Sequence, residues 1–301
     1  NCMEPMIFFA DVTTQKVRLV GPVQIPVETE AQVAQLLGRD VKDIDLELTR
    51  MGGGFGRRIY GDYALEAAEL SKLSRRPIKV VFSREDDMTA GTYRPAVKIK
   101  LKAVIKNNEI VAYQLNEATI KENMWGHIAS FFSAGSIKNY EVRVGNIPSN
   151  ISIGSWRSPF TNFNAVATES FFDYIAEVIK KDPIQLKLAL LEKAKLKPEG
   201  DVSYSPDRFQ NVVKLVRDKS NWQKAKDGTF QGFAAYYCHN TYVAEVVDLV
   251  IKDGLPVIEK VTCAVDCGVV VNPLGAMHQV TGGIIDGIGH SMYGDLSFDE
   301  G

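Results

Sequence analysis

Apolar residues recur at helical spacing over residues 28–38, where Ala31, Val33, Ala34, Leu36 and Leu37 form one stripe and Gly38 closes the run. Over 43–49 the period changes to two. Ile44, Leu46 and Leu48 alternate with Asp45, Glu47 and Thr49, the pattern of a half-buried strand. The run Met51-Gly52-Gly53-Gly54-Phe55-Gly56-Arg57-Arg58 follows, and then 62–75, rich in Ala, Leu and Glu. This order predicts strand, glycine loop and helix, with Asp62 as the N-cap whose carboxylate accepts an orphan backbone N–H. Residues 77–83 (Ile78, Val80, Val81, Phe82) predict another strand. Residues 97–105 and 109–119 predict a hairpin through Lys106-Asn107-Asn108, whose asparagines tolerate positive φ.

Helical periodicity returns over 163–180. Asp182-Pro183 restarts the chain as a second helix through Leu191, with proline in its first turn. Residues 208–219 predict a third helix, 231–266 a meander of strands turning near Asp253-Gly254, and 273–293 a glycine-containing helix or helix pair. Glu300-Gly301 reads as the turn of a hairpin after 296–298. Helices and mostly antiparallel strands in mixed order predict an α+β fold rather than a doubly wound one.

Composition narrows the classes of function. The 301 residues carry 35 Lys+Arg against 37 Asp+Glu, a formal net charge of -2, which excludes a general electrostatic grip on nucleic acid. No uncharged apolar run approaches the roughly 18 residues of a membrane span. The cysteines Cys2, Cys238, Cys263 and Cys267 are too sparse for a disulfide scaffold. Cys263 and Cys267 lack a second pair or a nearby histidine at metal-site spacing. The four histidines include no two-His metal motif, and Glu85-Asp86-Asp87 reads as a solvated turn.

Three clusters carry candidate chemistry. In the first, Gly52, Gly53, Gly54 and Gly56 let the backbone approach a ligand, while Arg57 and Arg58 offer charge to a phosphate. A tight strand–helix turn with surface arginines explains the same residues. The spacing matches neither the dinucleotide fingerprint nor the P-loop. The second is Gly154-Ser155-Trp156-Arg157-Ser158-Pro159, followed by Thr161-Asn162-Phe163-Asn164. The third is Val265-Asp266-Cys267-Gly268, then Asn272-Pro273, Gln279 and Gly282-Gly283. Asn272-Pro273 starts a helix there, and Gln279 sits about two turns in on a glycine-softened face.

The order of these clusters, with Glu169-Ser170-Phe171-Phe172-Asp173 between the second and third, resembles the molybdopterin-binding large subunit of the xanthine dehydrogenase and aldehyde oxidase group. Met3-Glu4-Pro5, the paired arginines, Ser83-Arg84-Glu85-Asp86-Asp87 and Tyr93-Arg94-Pro95 look most like its isoquinoline 1-oxidoreductase branch. The resemblance implies a molybdenum–molybdopterin cofactor, in the cytosine dinucleotide form, with no side chain ligating the metal. It implies insertion of water-derived oxygen into an N-heteroaromatic or aldehyde substrate. Electrons would leave through 2Fe-2S clusters on a small partner subunit. Gly54, Phe55 and Gly56 match the loop lying against the cofactor. Arg157 matches the arginine-bearing segment that holds the pterin, Gln279 a glutamine bonding the pterin or its metal oxygen, and Gly282 and Gly283 the approach to the dinucleotide tail.

The family's general base is a glutamate in a Gly-Glu motif beyond the Gln-x-x-Gly-Gly helix, and it is expected beyond Gly301. Ile59 stands where an acidic residue follows the loop in xanthine-oxidising members, so a purine is not the expected substrate. The chain therefore reads as a truncated molybdopterin-binding region, residues 1–301, with two lobes dividing near 120–150. The isolated piece is expected to be inactive, and no compartment follows from it. Two rival readings are a non-catalytic binding or assembly module that keeps this architecture, and a nucleotide-binding protein using the glycine loop.

Overall fold

The structure, a computed structural model, describes residues 2–120 and 127–297. The chain forms two compact units. The first comprises Asn1–Ile99, Glu117–His127 and Val144–Asn162, and the second Lys100–Asn116, Ile128–Arg143 and Phe163–Gly301.

The first unit opens with β1 (Ile7–Val12) and β2 (Val17–Gly21), followed by α1 (Pro26–Leu37), β3 (Ile44–Leu48), α2 (Asp62–Ser74), β4 (Ile78–Val81) and the short α3 (Arg84–Thr89). Its sheet has the order β3-β2-β1-β4. β1 is antiparallel to both neighbours, and β2 runs parallel to β3 with Val17 opposite Ile44. Alternation turns Phe8 and Ala10 inward against a stripe of small residues on α2, Ala64, Ala67, Ala68 and Ser71. Their short side chains let the helix lie close to β1. Tyr63, wholly buried, meets Phe8 edge-on at 5.8 Å and donates its hydroxyl to the Pro22 carbonyl. Gly38 closes α1 in the left-handed region, as its position predicted.

Two local expectations are corrected in this unit. Asp62 is not the N-cap of α2. Gly61, at φ 63, holds that place, and the Asp62 carboxylate is engaged by Arg57. Glu85-Asp86-Asp87 is no solvated turn but part of α3, started by a capping box between Ser83 and Asp86, with Asp87 buried against Arg84. The N-terminal strands β1 and β2 were not foreseen.

Strands β5 (Val97–Lys106), β6 (Glu109–Ile120) and β7 (Asn139–Ile147) form a sheet in that order, and each contributes residues to both units. Asn107 and Asn108 make the β5–β6 turn at φ 52 and 57. Next in the chain are α4 (Thr161–Val178), α5 (Pro183–Leu196), α6 (Pro206–Ser220), β8 (Phe230–Cys238), β9 (Thr241–Lys252), β10 (Leu255–Asp266) and α7 (Pro273–Met292). Asp182 caps α5 by accepting from the Gln185 N–H. The antiparallel meander β8-β9-β10 carries α6 on one face, where Phe209, Val213 and Val216 join Ala244 and Val246 in the core. Among these side chains lies Lys187, whose Nζ donates to Glu169 at 2.7 Å and to the Ala235 carbonyl at 3.0 Å, 4.0 Å from the Phe132 ring centre. Burial pulls its ammonium below the ordinary value while Glu169 opposes that shift. The architecture is α+β with mostly antiparallel sheets, as the sequence order predicted. The hairpin turn expected at Glu300-Gly301 lies outside the described residues.

Candidate functional site

The glycine loop is shaped from beneath by two buried cations. Arg58 is 0% exposed. Its Nε donates to the Gly53 carbonyl at 2.8 Å, and its Nη2 to the Glu4 carboxylate at 2.8 Å and the Glu4 carbonyl at 3.0 Å. The same Glu4 Oε2 accepts from the Gly52 N–H at 3.0 Å, so one ion pair fixes Gly52 and Gly53, the first two residues of the glycine triplet. Arg57 forms a bidentate pair with Asp62 at 2.6 and 2.8 Å. Neither arginine is a surface cation for a phosphate, which corrects that expectation. Their charge is spent on the frame.

Above this frame the loop takes strained turns. Phe55 stands at φ 50, Gly56 at φ 95, and the Phe55 ring remains 42% exposed. The Gly56 N–H donates to the Gln24 side chain at 2.9 Å. A Cβ on Gly56 would lie 2.6 Å from the Ser155 carbonyl oxygen, so the absence of a side chain permits backbone to meet backbone. The second cluster is thereby brought to the first. The Arg157 N–H donates to the Phe55 carbonyl at 2.8 Å. The Arg157 guanidinium lies 5.7 Å from the Phe55 ring centre, and the Trp156 ring packs 5.9 Å from it. Tyr60 accepts from the Ser155 N–H, and Arg94 donates to the Arg157 carbonyl. Gln24 and Tyr60 stand in no motif of the sequence. Arg94 belongs to the Tyr93-Arg94-Pro95 motif, though its bond to Arg157 is not readable from it.

The third cluster belongs to the second unit. Arg208 grips Asp266 at the end of β10 through two hydrogen bonds of 2.8 and 2.7 Å, and the Gly268 N–H donates to the same carboxylate. The Arg208 hydrogen bonds hold the Asp266 carboxyl down to about 2. Asn272 caps α7 by accepting from the Gly275 N–H at 2.9 Å, and the helix runs unbroken over 20 residues rather than as a pair. Gln279, Gly282 and Gly283 are spaced by three and four residues and so share one face of α7. No residue of this helix is buried. Cys263 lies on β10 directly opposite Glu245 of β9, and burial pushes its thiol up to about 12, which keeps it protonated. Among the described residues no group of three or more His, Cys, Asp or Glu could hold a metal ion. None of the described helices is long and apolar enough to cross a membrane.

These residues fit a polar ligand that presents acceptor atoms. Gly56 is itself closed off against the Ser155 backbone, but the half-buried Arg157 supplies positive charge, and the Trp156 Nε1 is buried with no acceptor among the described residues.

The fold is that of the molybdenum hydroxylase large subunits. The structure of quinoline 2-oxidoreductase from Pseudomonas putida 86 superposes with a TM-score of 0.62 at 16% identity, over 82% of this chain and 34% of that one. Aldehyde oxidoreductase from Desulfovibrio gigas superposes with a TM-score of 0.60 at 16% identity, over 86% of this chain and 31% of that one. A family profile for the molybdopterin cofactor-binding domain matches residues 1–190, and a second profile of the same description matches 159–301. The chain belongs to the molybdopterin cofactor-binding domain family. It is 27% identical, over 88% of its length, to the isoquinoline 1-oxidoreductase subunit beta of Brevundimonas diminuta, and spans 35% of that protein.

Proposed function

We propose that this chain is the cofactor cradle of a molybdenum hydroxylase large subunit. Gly54, Phe55, Gly56 and Arg157 are assigned to cofactor binding in the first unit, and Gln279, Gly282 and Gly283 in the second. The observation that carries this reading is the seating of the glycine loop on the 155–157 segment, Gly56 against the Ser155 carbonyl and the Arg157 N–H on the Phe55 carbonyl, in a chain of this family. When bound, the molybdenum–pterin group supplies transfer of water-derived oxygen to an electron-poor carbon and takes up two electrons.

The chain's own residues bind, orient and shield. The half-buried Gly53 and Gly54 offer backbone groups of the loop at its partly exposed stretch. Arg157 balances the negative charge of the cofactor, in its cytosine dinucleotide form, while the exposed Phe55 ring keeps water from one side. Gln279 offers both a donor and an acceptor to the pterin edge. The catalytic base belongs to another part of the full-length protein, whose electrons pass to a small 2Fe-2S subunit. The names of the relatives support an N-heteroaromatic or aldehyde substrate. One is an isoquinoline oxidoreductase, and another, 32% identical over 79% of this chain, is the membrane-bound aldehyde dehydrogenase of Gluconacetobacter polyoxogenes.

The test is Arg157→Ala and Gln279→Ala in the full-length protein, scored by molybdenum and pterin content after purification and by turnover of isoquinoline and of an aldehyde. Both variants are expected to lose cofactor or turnover. Wild-type content and rate in both would remove the site assignments.

A further inference from the structure

We propose that the Trp156 indole N–H is an anchoring donor, hydrogen-bonded to an acceptor atom of the molybdopterin cofactor. This rests on the reading of the glycine loop and the 155–157 segment as part of the cradle.

Both neighbours of Trp156 are pinned. The Ser155 N–H is held by the Tyr60 hydroxyl, and Arg157 is held by the Phe55 carbonyl on its N–H and by Arg94 on its carbonyl. Its ring packs beside Phe55 at 5.9 Å. The backbone on both sides of the indole is therefore fixed by the frame. Its Nε1 is nevertheless buried with no hydrogen-bond partner among the described residues.

A buried indole N–H without an acceptor loses its hydration and regains nothing, and tryptophans in proteins ordinarily find a partner for this group. Phenylalanine would fill much of the same volume without that penalty. An acceptor is present in the same unit, since Asn162 Oδ1 is likewise buried and unpaired, yet the two do not meet. The donor thus calls for an acceptor that the described residues do not supply. It stands next to the one residue of the glycine loop whose ring is exposed and to the half-buried Arg157. A pterin cofactor carries oxygen and nitrogen acceptors of the required kind.

The experiment is Trp156→Phe in the full-length protein beside Arg157→Ala. The readouts are the rate of pterin release from the purified holoprotein, followed by the fluorescence of the oxidised pterin set free, and the melting temperature of the apoprotein. Trp156→Phe is expected to release pterin about tenfold faster while the apoprotein melts no lower than the native one, the loss of roughly one hydrogen bond to the cofactor. Release at the wild-type rate in Trp156→Phe, with fast release in Arg157→Ala, would overturn the donor while leaving the cradle standing. Wild-type release in both would overturn the cradle as well. Equal destabilisation of the apoprotein and the holoprotein by Trp156→Phe would show the indole to be packing alone, and would also overturn the proposal.

Discussion

The glycine loop of the first unit and helix α7 of the second are both glycine-rich, yet they are built by opposite means. Gly52, Gly53 and Gly56 are gripped from several directions, by Glu4, Arg58, Gln24 and the Ser155 backbone. Helix α7 is held by local devices: the Asn272 cap, Pro273 in the first turn, and its own backbone bonds. None of its residues is buried, and Ile285 is 65% exposed. A glycine in the loop exists because something stands where its Cβ would be. On α7 the positions of Gly287 and Gly289 face open space, so those glycines answer to no contact within the described chain. A rigid platform and a locally encoded rod follow from the same residue type.

The largest expected effect breaks the platform. Arg58→Ala removes the buried guanidinium that joins Gly53 to Glu4, and should cost about 3 kcal/mol in urea unfolding of the chain. A loss under 1 kcal/mol would mean the loop holds its shape without the ion pair.

Next comes the paired substitution that sharpens the contrast. Gly56→Ala puts a Cβ 2.6 Å from a backbone oxygen at φ 95 and should destabilise by about 2 kcal/mol. Gly287→Ala has room and a helical backbone. It should stabilise α7 by about 0.5–1 kcal/mol, slowing amide exchange along the helix up to roughly fivefold. Equal effects of the two would erase the distinction between the regions.

The smallest effect concerns the residue that leads into α7. Arg208 holds the Asp266 carboxyl down to about 2, below the ordinary carboxylate value, so its contribution is fully present above about pH 4 and is lost as pH falls through 2. The difference in stability between the native chain and Asp266→Asn should therefore narrow from pH 6 to pH 2. A gap that stays constant would show that the carboxylate charge contributes nothing.

Legibility followed the range of the interaction. Gly38, Asn107-Asn108, Asp182-Pro183 and Asn272-Pro273 act on their immediate neighbours, and each was readable because the cap or turn is satisfied within a few residues. Arg57 and Arg58 misled the reading for the opposite reason. Two arginines after four glycines look like surface charge, while the Glu4 that buries Arg58 stands 54 residues earlier. Asp62, only five residues from Arg57, suits a helix cap by local preference, but its ion pair with Arg57 wins. The buttressing by Gln24 and Tyr60 was equally invisible, since amide and phenol side chains carry no spacing signature.

The sequence by itself determined the α+β order of elements, their caps and turns, and the family, because periodicity and ordered motifs are written along the chain. Only the tertiary structure decided which charges are buried, that Phe55 keeps an exposed ring above a fixed loop, and that the Trp156 N–H is left without an acceptor among the described residues. Burial and hydrogen-bond satisfaction depend on residues remote in sequence, and they exist only once the chain has folded.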